Sequence, residues 1–221
     1  MADYSAVDEP TPARPAPGPA AAPPPALGPG VAPPKRIGSG ELLLRAWEPE
    51  DLQARYDAVI ASFEPLHQWM DWCAEPPTFE GQREYGEQQY GLWPANGSCN
   101  YGIFDSRSGV LLAVAGLHDR LGPGGLEIGY WCHVDHTGKG VITRAAALLT
   151  RAALALAGIE RVEIHCDEAN VRSAAVPRRL GYRLDRIEPD GITAPAEVGR
   201  GMFWIMERAG FAGSPADLLS R

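Results

Sequence analysis

A chain of 221 residues with 28 acidic and 20 basic side chains carries a formal charge of −8. That balance argues against non-specific binding to nucleic acid, which draws on clustered Lys and Arg. No run reaches the length of a membrane span, because the best apolar stretch is short and interrupted by Arg151, and the start MADYSAVDEP lacks the apolar core of a signal peptide.

From Glu9 to Pro34 the chain is almost wholly Pro, Ala and Gly and holds 11 of the 21 prolines. Such a stretch offers too little apolar surface to offset its ordering entropy. Residues 1–38 are therefore expected to form a disordered or partly polyproline tail, with a docking segment for a proline-reading partner as the alternative. Its charges cancel, Asp3, Asp8 and Glu9 against Arg14, Lys35 and Arg36, so the acidic excess lies beyond it. Residues 39–209 suit one domain with a full-sized core, and residues 210–221 are expected to be a C-terminal tail. Cys73, Cys99, Cys132 and Cys166 lie far apart with no Cys-x-x-Cys pair. This predicts reduced, structural thiols and a cytoplasmic protein.

Leu42 to Trp47 reads as a strand. Pro49, Glu50 and Asp51 then open a helix on which Leu52, Tyr56, Val59, Ile60 and Phe63 keep a helical period. A second helical region spans Leu66 to about Leu92 and breaks near Pro76 and Pro77. Asn100–Phe104 and Val110–His118 form a hairpin around Asp105–Gly109, and the turn Leu121–Gly125 leads into a strand at Leu126–Val134. A long Ala- and Leu-rich helix covers Gly140 to Ala157, followed by a strand at Arg161–Cys166. A shorter helix, Val171–Leu180, ends at Gly181. Tyr182–Ile187 and Met202–Glu207 close the set, joined by a loop around Asp190–Gly199. The order β-α-α-β-β-β-α-β-α-β-β predicts an α/β molecule of the α+β kind around a mixed sheet.

Thr137 to Ile142 (TGKGVI) lies between a strong strand and a strong helix, where backbone N–H groups at a helix N-terminus can seat a phosphate. This loop resembles the acyl-CoA pyrophosphate loop of the GNAT acyltransferase superfamily, Q/R-x-x-G-x-G/A. Asn170 to Tyr182 (NVRSAAVPRRLGY) resembles the family's second signature, N-x-x-S followed by a helix and L-G-F/Y. Glu127–Trp131 looks like the family's fourth strand, and the Trp131, HTGKG and SAAVP forms look most like the RimJ/RimL type, which acetylates protein N-terminal amines. The resemblance covers roughly Glu41 to Arg208. It implies the GNAT fold, a mixed sheet of about seven strands flanked by about four helices. Two positions depart from the pattern: Thr137 stands for the long Gln or Arg, and Ile142 for the small Gly or Ala.

By this resemblance, acetyl-CoA is the co-substrate. Backbone amides of Thr137, Gly138, Lys139, Gly140, Val141 and Ile142 would hold its pyrophosphate, with Lys139 as a nearby charge. Main-chain groups of Trp131, Cys132 and His133 would pair with the pantetheine arm, and one N–H there would polarise the thioester carbonyl. The attacking amine must be neutral, and Glu127 is the first candidate base, with Glu188 and Asp190 as alternatives. Ser173 matches the motif serine and is the candidate acid for the leaving thiolate. Asn170 would cap the helix and face the cofactor.

Trp69, Trp72 and Trp93 could wall an acceptor groove, and Glu75, Glu80 and Glu84 could attract a cationic acceptor; core packing and a solvated acidic face are the competing readings. His133 and His136 precede the glycines, while His67, His118 and His165 are scattered. No metal-ligand spacing is present, so no metal site is expected. The implied partner is an amine acceptor, a protein N-terminus or a small molecule such as an antibiotic or polyamine, with neither nucleic acid nor membrane. A homodimer and a non-catalytic acyl-CoA-binding module remain open.

Overall fold

A computed structural model describes residues 23–90, 93–94 and 97–221. Eight strands form one sheet: β1 (Arg36–Ser39), β2 (Leu42–Ala46), β3 (Ser98–Asp105), β4 (Leu111–His118), β5 (Gly125–Cys132), β6 (Arg161–Asp167), β7 (Arg183–Pro189) and β8 (Arg200–Glu207). The spatial order is β1-β2-β3-β4-β5-β6-β8-β7. Every neighbouring pair is antiparallel except β5 with β6, which the crossover helix α4 (Val141–Leu154) makes parallel.

Helices α1 (Leu52–Ala61), α2 (Phe63–His67) and α3 (Phe79–Tyr90) pack on one side, where Val59, Leu66 and Cys73 form an apolar cluster that also touches Trp131. Helices α4 and α5 (Val171–Leu180) cover the other side. Ala145, Ala146 and Ala147 on α4 are small enough to bring its backbone close to the sheet, and Leu148 and Leu149 complete the main core with Leu126 and Ile128 of β5. Among the described residues, no helix is long and apolar enough to cross a membrane.

The sheet has one strand more than expected. β1 was hidden in the supposed tail because Arg36–Ser39 holds one apolar residue and gives no alternating signal. It pairs antiparallel with β2, Ile37 opposite Leu44. Upstream, the described part of the proline-rich stretch is tied to the domain. Ala26 and Leu27 donate their N–H groups to the Asp119 carboxylate at 2.6 and 3.0 Å. Trp93 Nε1 donates to the Pro33 carbonyl at 2.7 Å, and Tyr101 OH to the Pro34 carbonyl at 2.9 Å. A proline has no N–H to satisfy, so each of these residues brings only an acceptor to the interior. Residues 26–38, expected to belong to the tail, are thus packed on the domain; residues 1–22 lie outside the described residues, as do Gly91 and Leu92 at the expected end of the second helical region.

The expected C-terminal tail is also folded. Helices α6 (Arg208–Phe211) and α7 (Pro215–Leu219) follow β8, and α7 lies on α4 with Ala216 fully buried. Arg151, the charge that interrupts α4 in the sequence, donates to the Asp217 carboxylate at 2.6 Å and to Ser220 Oγ at 2.8 Å.

Candidate active site

The β5–β6 ladder is the feature around which the site is built. Only Gly125, Leu126 and Glu127 pair with β6, opposite Arg161, Val162 and Glu163. Beyond them the two strands part, while β5 stays paired with β4 as far as Cys132. His133 N–H donates to the Leu112 carbonyl of β4 at 3.0 Å. Strand alternation then turns the backbone groups of Trp131 toward β4 and those of Tyr130 and Cys132 toward the gap. Of Trp131, Cys132 and His133, only Cys132 presents its main chain to the gap, and Tyr130 joins it there.

The gap leads to the N-terminus of α4. Gly138 and Gly140 both adopt φ of +74°, a conformation that L side chains rarely take, and a β-carbon on Gly138 would point into open space. Gly140 is the N-cap and supplies no side-chain cap. Among the described residues, the N–H groups from Gly138 to Thr143 donate to no protein acceptor; the first backbone bond of α4 runs from Arg144 N–H to the Gly140 carbonyl. A 14-residue helix thus begins with an uncapped row of donors whose leading residues, Gly138 to Gly140, are exposed, which is the chemistry a pyrophosphate requires.

The two departures have local explanations. Thr137 Oγ1 donates to the Val134 carbonyl at 3.0 Å, so its side chain closes the preceding turn instead of reaching outward. Ile142 is half-buried and packs on the main core, leaving the loop mouth open. His133 Nδ1 accepts from Asp135 N–H at 3.1 Å and is occupied as a turn cap. Lys139 and His136 share a cavity of about 450 Å³ beside the loop with Arg144, a cation that sequence reading passed over.

Across the gap, Asn170 Oδ1 accepts from Ser173 N–H at 3.0 Å and caps α5. Ser173 Oγ lies 3.1 Å from the Tyr130 hydroxyl, which also donates to the Ser173 carbonyl at 3.1 Å. Burial pushes the Tyr130 phenol up, and pushes the Cys132 and Cys166 thiols up to about 11, so all three stay protonated near neutrality.

On the other face of the sheet, a cleft of about 580 Å³ runs along β4 and β5 beneath α1, α3 and the short turn Asp71–Cys73. Trp47, Tyr85, Trp72 and Trp131 give it aromatic walls, and His118, Arg120, Arg55 and Asp71 give it its charged and titratable groups. His118 stands over Gly116 and Gly129: a β-carbon on either glycine would come within about 3.0 Å of His118 Nε2, so only glycine leaves room for the ring. His118 Nδ1 lies 2.9 Å from Ser98 Oγ. Burial, with the neighbouring Arg120 charge, holds this imidazole below its ordinary pKa and keeps it neutral.

Glu127 sits directly opposite His118 in the β4–β5 register. It is 5 % exposed and its carboxylate is held by Arg120, whose Nε lies 2.6 Å from Oε2, with His165 Nδ1 at 3.5 Å. Burial raises its pKa, but the Arg120 hydrogen bonds and the His165 and Arg120 charges outweigh that and leave it below the usual carboxylate range. Glu127 is therefore a committed anion behind His118.

Of the three helical-region tryptophans, only Trp72 reaches the cleft, its ring centroid 6.4 Å from that of Trp131. Trp93 packs edge-on against Tyr101. Glu75, Glu80 and Glu84 are exposed and lie outside the cleft lining, and Glu80 pairs with Arg83. Glu188 pairs with Arg186 on the outermost strand, and Asp190 follows that strand, both remote from β5. Among the described residues, no group of three His, Cys, Asp or Glu side chains is placed to hold a metal ion.

Residues 41–183 match the sequence profile of the acetyltransferase (GNAT) domain. The chain belongs to the GNAT acetyltransferase family. Among GNAT relatives, it is 29 % identical over 157 residues to the protein named "Putative ribosomal N-acetyltransferase YdaF" of Bacillus subtilis (strain 168), covering 68 % of this chain and 82 % of that one. Two solved GNAT structures share the fold. RimL, a ribosomal alpha-N-protein acetyltransferase in complex with coenzyme A, superposes with a TM-score of 0.70 at 22 % identity, over 79 % of this chain and 99 % of that one. The microcin C7 self-immunity acetyltransferase MccE, in complex with acetyl-CoA and AMP, gives 0.69 at 18 % identity, over 76 % and 93 %. Acetyl-CoA is accordingly the co-substrate of this GNAT domain, and the open strand pair and uncapped α4 fit it.

Proposed function

We propose that the chain transfers an acetyl group from acetyl-CoA to the α-amino group of a protein or peptide N-terminus. The observation that carries this reading is the cleft beside β5, in which a neutral imidazole faces the acceptor side of the strand whose other edge is open to a thioester. The names of YdaF and RimL support a ribosomal-protein class of acceptor. Four free cysteines accord with a reducing cytoplasm.

In this reading the backbone donors of Gly138 to Thr143 anchor the pyrophosphate, and the Cys132 and Tyr130 main chains align the arm in the gap. His118 is the base: Nδ1–H donates to Ser98 Oγ, and Nε2 takes a proton from the acceptor ammonium. Glu127 steadies the imidazolium that forms and is a positioning residue. As the amine nitrogen bonds to the carbonyl carbon and the carbon–sulfur bond breaks, Ser173 donates its proton to the departing thiolate, the nitrogen sheds its second proton to solvent, and the Ser173 hydroxyl regains a proton from solvent while Tyr130, keeping its own, holds the serine in place.

A mass-spectrometric screen of N-terminal peptides and small amines with acetyl-CoA tests the proposal. Acetylated peptide N-termini are the expected result. Acetyl-CoA binding with no acetylation of any amine would overturn it.

A further inference from the structure

Among the described residues, Arg55 is a buried cation without an anion. It is 2 % exposed, on the apolar side of α1, one turn before Val59. Its Nε donates to Gln82 Oε1 at 3.0 Å and Nη2 donates to the Gln82 carbonyl, but Nη1 finds no acceptor among the described residues. No carboxylate among the described residues lies within ion-pair distance, whereas Arg45 nearby in sequence is paired with Asp51. The guanidinium is flanked by rings, its carbon 5.3 Å from the Trp47 centroid and 5.1 Å from that of Tyr85. Space for it is provided by α3: a β-carbon on Gly86 would lie 2.7 Å from Nη2. Trp47, 5 % exposed, is itself left with an indole Nε1–H that has no acceptor among the described residues.

Arg55 and Trp47 both line the same cleft as His118 and Trp131, with the two unmet donor atoms themselves buried in its wall. A buried guanidinium and a buried indole N–H are costly unless something accepts from them. One guanidinium balances one unit of negative charge, so a monoanion matches it better than a phosphate. We propose that Arg55, with Trp47, receives a carboxylate carried by the acceptor, and that this enzyme selects amines with an acidic side chain close to the reacting nitrogen. The inference rests on the cleft being the acceptor site.

The test uses peptide twins that differ only by Glu or Gln at position two, three or four. Their affinity for the full chain saturated with coenzyme A is measured by calorimetry, which needs no turnover. At one position the Glu peptide is expected to bind about tenfold tighter than its Gln twin, the factor given by one charge-assisted contact. Arg55→Met should erase that ratio and leave acetyl-CoA affinity unchanged, and Arg55→Lys should keep part of it. Should Arg55→Met not fold, the twin comparison in the natural chain still decides. Equal affinity of the twins at all three positions would overturn the proposal. A preference for free amino acids over their amides alongside equal twins would likewise overturn selection of an acidic side chain. Twin discrimination without acetylation of any amine would support the Arg55 pocket while overturning the proposed reaction.

Discussion

His118 and Glu127 face each other across β4 and β5 at the end of the cleft, one a neutral imidazole and the other a carboxylate already bound by Arg120. The pair divides two tasks that one residue cannot combine. A carboxylate held below its usual pKa is a weak proton acceptor, whereas a neutral imidazole accepts readily.

Replacing His118 with Gln should lower kcat by roughly 10²–10⁴-fold, the usual contribution of a positioned base. The natural enzyme should lose activity as the pH falls through a pKa below the ordinary imidazole value, since burial depresses His118. A pH–rate profile of the variant should lack that acidic limb, and a retained limb would exclude His118.

Glu127→Gln separates the positioning role from the basic one. The Glu127 charge favours protonated His118, so its removal should move the acidic limb to still lower pH while turnover persists. Loss of the limb altogether would make Glu127 the base.

Stability should fall in two stages on acidification. A group whose folded pKa is depressed contributes stability that is complete above its unfolded pKa and lost as the pH falls through the folded one. His118 therefore begins to cost stability below about pH 6.5, the unperturbed imidazole value. Glu127 and Glu163, both lowered by their Arg and His partners against the effect of burial, follow below about pH 4.3. Denaturant midpoints measured from pH 8 to 3 should show both losses, and a flat profile would contradict the buried pairing.

At the α4 loop, Gly138→Val or Gly140→Val forces a branched residue into φ near +74° and should weaken acetyl-CoA binding at least tenfold while the sheet survives. Calorimetry with acetyl-CoA, alongside the far-ultraviolet spectrum, checks both halves of the statement.

Deleting residues 1–35 should lower the denaturation midpoint, destabilising the domain by about 1–3 kcal/mol for each donor left unpaired away from water, Trp93 Nε1, Tyr101 OH and the Ala46 N–H being the three that lose their acceptor.

Much of the site was legible where a pattern and a local turn agreed. The glycines at 138 and 140 and the cap Asn170 stand where the strand–loop–helix reading put them. The register of β4 on β5 was in principle readable too: Gly122 and Pro123 lie midway between His118 and Glu127, so the turn itself sets them opposite one another. His118 was passed over because a histidine at a strand end carries no sequence signal until its cross-strand neighbour is known. Tyr130 shows the same limit. Alternation puts it on the α4 side with Leu126 and Ile128, but its meeting with Ser173 depends on a crossover of more than forty residues. Arg55 interrupts the apolar side of α1, a local inconsistency of the kind that marks functional positions. The folded ends escaped notice because their stabilising contacts are single long-range bonds, such as Asp217 to Arg151 and Pro33 to Trp93, which no periodicity records.

The early parting of β5 from β6 has a thermodynamic corollary. A sheet that forgoes half a ladder in its middle is unfinished, and the coenzyme's amide-bearing arm would serve as the missing rung. The central strands should therefore borrow rigidity from acetyl-CoA, so that amide exchange along β5 slows on loading and quickens once product leaves.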